Sequence, residues 1–135
     1  MNALPPKFPI TPEQIQTVVT KFYARVRRHE TLRPVFATHV ADWPEHEEKI
    51  ASFWRNAICH ERGYSGNPQA THMSAGNVKA EHFALWLTLF DEVLTQELPE
   101  STALSWSALA HRIGRALRMS LEQRDAPKDA PPKLF

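Results

Sequence analysis

The sequence predicts an all-α chain, and three observations predict it. Apolar residues recur at three- and four-residue spacing through most of the chain, the period of one helix face. No alternating run rich in valine and isoleucine reaches strand length. The breakers sit between the periodic stretches: of eleven prolines only Pro34, Pro44, Pro68 and Pro99 lie between the crowded ends, and only four glycines occur.

The elements follow in order. "TPEQ" opens the first helix, with Thr11 as N-cap, Pro12 at the first helical position and Gln14 at the capping-box position. Its stripe is Ile15, Val18, Val19, Phe22, Tyr23 and Val26. A short helical piece spans about Leu32 to Thr38. A third helix starts at "DWPEHEEK", with acidic residues where the helix dipole favours them. Its stripe is Ile50, Phe53, Trp54 and Ala57, and His46 lies four residues before Ile50 on the same face. "HERGYSGN", residues 60–67, reads as a loop, and a single helical turn follows around Pro68–His72. A long helix runs from about Lys79 to Gln96 with Phe83, Trp86, Leu87, Phe90 and Leu94 on one side. The last runs from about Glu100 to Arg124 with Trp106, Leu109, Ile113, Leu117 and Leu121 inward. No internal repeat occurs, and the tail "DAPKDAPPKLF" reads as disordered. The expected organisation is a flexible segment 1–11, one domain 12–124 and a Pro-rich tail 125–135.

The bulk numbers bound the function. A chain of 135 residues, 42% hydrophobic, builds one domain with a real core. Sixteen basic and fifteen acidic residues give a net charge of +1 without a basic block, so neither nucleic acid nor a membrane surface has an electrostatic footprint. Cys59 is the single cysteine, which excludes an internal disulfide or a cysteine metal cluster and fits a reducing cytoplasm. No apolar run is long enough to span a bilayer, and prolines interrupt the N-terminus where an export signal needs an apolar stretch. No histidine pair has the HxxxH spacing of a helical zinc site.

Four residues interrupt otherwise apolar faces: Tyr23, His46, His72 and Trp86. A hydroxyl, an indole N–H and an imidazole turned into one core each cost roughly 1–3 kcal/mol without a partner. Their convergence suggests something polar bound among them. A haem satisfies the pattern, because its iron takes one histidine, an apolar slot between helices holds the ring, and donors on the other face stabilise a diatomic ligand. Taken alone, His72 also reads as a loop-end histidine bonded to backbone, and Tyr23 and Trp86 as core aromatics whose polar tips find carbonyls. Trp43, Trp54 and Trp106 read as packing residues. His29, His39, His60 and His111 read as surface histidines, and Cys59 as packing.

"KFYARVRRHETLRPVFATHV", "DWPEHEEKIASFW", "GYSGNPQATHM" and "EHFALWLTLF" resemble the group III truncated haemoglobins, bacterial two-over-two globins. The resemblance runs from about residue 12 to 124. It implies the truncated globin fold, a two-over-two helical sandwich around haem b (iron protoporphyrin IX). It implies His72 as the proximal iron ligand, Tyr23 and His46 on the distal side, and Trp86 as the tryptophan of the long fourth helix. Phe36, Ile50, Phe53, Trp54, Tyr64 and Met73 are the expected haem contacts, and Arg62, Tyr64 and Lys49 the candidates for the propionates. "ICHERGYSGN" departs from the leucine- and glycine-rich loop of the family, which leaves the loop path open.

The implied function is binding of dioxygen, and of nitric oxide, carbon monoxide or cyanide, by a cytoplasmic monomer. Two donors to the ligand suit oxygen or nitric oxide chemistry, such as nitric oxide dioxygenation or peroxide reduction with an external reductase, rather than delivery. Two other classes stay open: a six-coordinate haem redox sensor or electron carrier, with His46 and His72 both on the iron, and a haem-free helical interaction module.

Overall fold

A computed structural model describes residues 4–68, 71–72 and 75–126. The expected haem contact Met73 and most of the Pro-rich tail lie outside these residues. The described chain is helical without strands: α1 Pro12–Val26, α2 Leu32–Ala37, α3 Trp43–Cys59, α4 Ala80–Glu97 and α5 Glu100–Asp125. Each boundary falls within two residues of the one that capping and periodicity predict.

The N-terminus of α1 is the predicted capping box. The Thr11 hydroxyl accepts from Gln14 N at 3.1 Å, and Gln14 Oε1 accepts from Thr11 N at 2.9 Å. Two of the donors that a helix start leaves unpaired are thereby satisfied, a gain of about 1 kcal/mol. All six predicted stripe residues of α1 are buried. At α3 the Asp42 carboxylate caps Glu45 N at 3.1 Å, one residue before the proline-containing first turn. The α2 start is capped differently: His29 Nδ1 accepts from Thr31 N and Leu32 N, both at 3.1 Å.

The helices form two packed pairs, α1 with α3 and α4 with α5, joined by the packing of α1 on α4. Only Leu98 and Pro99 separate α4 from α5. Gly114 lets them approach closely, since a Cβ there would sit 3.2 Å from the Leu87 side chain. The core is an aromatic stack. Phe90 is sandwiched between Trp86 (5.1 Å, 9° between planes) and Trp54 (5.7 Å, 15°), while Trp106 and Phe22 meet it edge-on. Edge and offset contacts of this kind contribute about 0.5–1.5 kcal/mol each beyond area burial. The α4 helix is buried more widely than its predicted stripe, because Leu89 and Val93 are covered too.

The atypical loop after α3 is anchored by charge rather than by leucine and glycine. His60 ends α3 in a left-handed conformation (φ 60°), its N–H bonded to Arg55 O. Arg55 Nε donates to Glu61 at 3.1 Å and Nη2 to Glu48 at 3.0 Å, and Asn56 Nδ2 donates to Glu61 O at 2.8 Å. Tyr64 then turns back onto Phe53, with ring centroids 5.3 Å apart. At Gly66 a Cβ would collide with the Tyr64 hydroxyl, so glycine is what the loop return permits.

Candidate functional site

A cavity of about 280 Å³ lies between the two helix pairs. It gathers the four polar residues singled out by the sequence, Tyr23, His46, His72 and Trp86. It also gathers the expected apolar contacts Phe36, Ile50, Phe53, Trp54 and Tyr64. These residues come from α1, α2, α3, the loop and α4, while Ala110, Ile113, Gly114 and Leu117 of α5 complete the wall.

Tyr23 and His46 are built as one aromatic cluster. The Tyr23 ring is 98% buried among Phe22 (5.0 Å), Phe36 (5.7 Å), Trp43 (6.1 Å) and His46 (4.9 Å). The residue lines the cavity, and its hydroxyl makes no hydrogen bond among the described residues. Burial, and then the nearby Glu47 carboxylate, pushes its pKa far up, so it stays a protonated donor. His46 Nε2 is buried with no hydrogen-bond partner among the described residues. Burial, and then the Lys49 charge, lowers its pKa to about 4, so the ring is neutral near pH 7. The Glu47 carboxylate beside it is buried and held by Arg27 Nη1 at 2.8 Å, and Arg27 also lies over the Trp43 ring at 5.2 Å. Trp86 owes its orientation to the stack on Phe90, which fixes the plane of its indole.

His72 belongs to another part of the wall, beside Phe83 of α4 at 5.5 Å. Its Nδ1 lies 2.6 Å from Pro68 O, four residues back. A carbonyl can only accept, so Nδ1 carries the proton and Nε2 keeps its lone pair. Burial lowers the pKa, outweighing the Pro68 bond that raises it, and keeps the imidazole neutral. A metal-binding histidine has this tautomer, held by a bond from its other nitrogen.

The cavity therefore holds a neutral histidine, His72, whose Nε2 makes no hydrogen bond among the described residues, together with Tyr23, His46 and Trp86 and a lining that is otherwise mostly apolar and aromatic. That donor set fits a flat apolar macrocycle with a metal at its centre. Residues 11–122 match the bacterial-like globin family. The chain belongs to the bacterial-like globins. Within that family it is a group III truncated haemoglobin. Over 89 residues, 63% of this globin and 70% of the relative, it is 35% identical to group 3 truncated hemoglobin ctb of Campylobacter jejuni. The crystal structure of the group III truncated hemoglobin from Campylobacter jejuni superposes with a TM-score of 0.83 at 28% identity, covering 88% of this globin and 97% of that chain. The two helix pairs are thus the two-over-two sandwich of the truncated globin, and the globin family carries a haem cofactor that binds diatomic gases. No described helix of this globin is long and apolar enough to cross a membrane.

The structure differs from the sequence reading at the rim. Arg62 does not line the cavity, whereas Lys49 and Tyr64 do. His82, unassigned from the sequence, also lines it, and so does His39, which the sequence reads as a surface histidine. The His82 signal was present: it stands four residues before Trp86 on one face of α4. Its Nδ1 also accepts from Lys79 N at 3.0 Å, capping that helix. His39 lies just beyond α2 and bonds Asn77 of a distant segment, a pairing no local period predicts.

Proposed function

We propose that this globin holds a diatomic gas among Tyr23, Trp86 and His46, releases it slowly, and serves oxygen and nitric oxide chemistry rather than oxygen delivery. The observation that carries this reading is the buried, unpartnered His46 Nε2 beside the unpartnered Tyr23 hydroxyl, in the same cavity as a histidine with a free Nε2. Polar atoms left in this way are costly unless a ligand completes them. Haem b, when bound, would be held through His72 and would supply an iron that binds a diatomic gas.

The residues divide the work. His72 presents Nε2 to the metal, with Pro68 O fixing its tautomer and ring plane. Tyr23 donates its hydroxyl proton, and its raised pKa keeps that donor intact across the physiological range. Trp86 donates from an indole fixed by Phe90. Neutral His46 adds one N–H or one acceptor at the same place. Phe36, Ile50, Phe53 and Trp54 exclude water and strengthen these bonds. Two donors of about 1–1.5 kcal/mol each slow ligand escape by about 30- to 150-fold. Slow escape suits consumption of nitric oxide: one nitric oxide, one dioxygen and one electron make one nitrate. The electron is supplied by an external reductase, and the globin works as a cytoplasmic monomer.

The test is spectroscopic. Purified protein is expected to show a Soret band and a five-coordinate ferrous state, and His72→Gly to lose that spectrum and regain it on adding imidazole. A His72→Gly protein with a native spectrum and no imidazole removes His72 as the ligand. A low-spin six-coordinate ferrous state overturns open gas binding in favour of a sensor or electron carrier.

A further inference from the structure

The last turn of α5 reaches the segment that carries His72. From His72 to the start of α4, the described backbone makes only two turn bonds of its own, Ala75 N to His72 O (3.3 Å) and Val78 N to Ala75 O (3.0 Å). Arg124 of α5 adds bonds from outside the segment. Its Nη1 donates to His72 O and Ala75 O, each at 3.3 Å, and its Nη2 donates to Val78 O at 2.8 Å. The guanidinium is itself held by Asp125, from Nε at 2.8 Å and Nη2 at 2.9 Å. Each of its five N–H groups thus meets an acceptor, and the side chain is only 18% exposed.

We propose that Arg124 is a positioning residue for His72, a proposal that rests on His72 being the iron ligand. Pro68 O sets the plane of the imidazole from one side. Arg124 sets the height and path of the backbone from the other, fixing how Nε2 approaches the metal. The α5 terminus, 52 residues away in sequence, is in this way part of the haem site without touching the cavity. Lysine cannot replace it, because a single ammonium does not span three carbonyls while pairing Asp125 in a plane.

The experiment compares haem-loaded full-length wild type with Arg124→Ala, Arg124→Lys and Arg118→Ala. The readouts are the iron–histidine stretching band in resonance Raman and the rate of haem loss to an excess of a haem-scavenging apoprotein. Arg124→Ala is expected to shift or broaden the band and to speed haem loss by about ten-fold or more, the scale of one charge-assisted hydrogen bond. Arg124→Lys should fall between Arg124→Ala and wild type. Arg118→Ala, which removes only an exposed ion pair of the same helix, should match wild type in both. A wild-type band and haem-loss rate in Arg124→Ala overturn the proposal; if that variant does not accumulate, the same result in Arg124→Lys does so. Equal changes in Arg118→Ala also overturn it, because loosening α5 anywhere then suffices. An iron–histidine band that survives in His72→Gly marks instead the failure of the His72 assignment, and the proposal falls with it.

Discussion

Tyr23→Phe separates the two roles of one hydroxyl. The ring is fixed by four aromatic neighbours within about 6 Å, and phenylalanine keeps those contacts. Only the oxygen is lost, and that oxygen has no hydrogen-bond partner among the described residues. In the ligand-free protein its removal relieves an unpaired polar group. Unfolding free energy should therefore stay unchanged or rise by about 1 kcal/mol. On the proposed function the same oxygen donates to bound dioxygen, worth about 1–1.5 kcal/mol, so its loss should speed release by about 5- to 12-fold. Urea unfolding of the ligand-free ferric protein measures the first quantity. Stopped-flow displacement of dioxygen by carbon monoxide measures the second. A variant that loses more than about 1 kcal/mol of stability and releases dioxygen at the wild-type rate refutes the reasoning. In that case the hydroxyl serves the core and not the ligand.

Two further outcomes follow from burial and charge. The pKa of His46 lies at about 4 in the fold, and that of His72 is lowered in the same direction, against about 6.5 unfolded. The unfolded chain then binds the extra protons, so the stability of the haem-free protein should fall as pH drops below about 6.5, and the His46 contribution should level off near its folded pKa. His46→Gln should flatten part of that slope in urea titrations from pH 7.5 to 4.5; an unchanged slope refutes the assignment. Trp54→Ala removes one of the two rings stacked on Phe90, at a residue only 2% exposed, and should cost about 3–5 kcal/mol. A loss under about 1 kcal/mol by urea unfolding shows that Trp54 is not a core residue.

The sequence by itself determined the elements, because helix signals are local. Thr11, Pro12 and Gln14 cap α1 through contacts three residues apart, and the stripe from Ile15 to Val26 needs only a period of 3.6. Tyr23, His46, His72 and Trp86 were legible for a related reason: a polar group on an apolar face stands out before its partner is known. The Nδ1 bond of His72 to Pro68 is local as well, one helical turn long. Tertiary structure decided what each group meets. That Glu47 is buried under Arg27, that His39 and His82 reach the cavity, and that Arg124 gathers the carbonyls of His72, Ala75 and Val78 all depend on chain crossings of up to 52 residues. The path of the unusual loop was also decided there, by Arg55 and Asn56 holding Glu61. A charge on a polar helix face looks the same in the sequence whether water or a distant backbone receives it. Only packing, which removes the water, determines which partner it has.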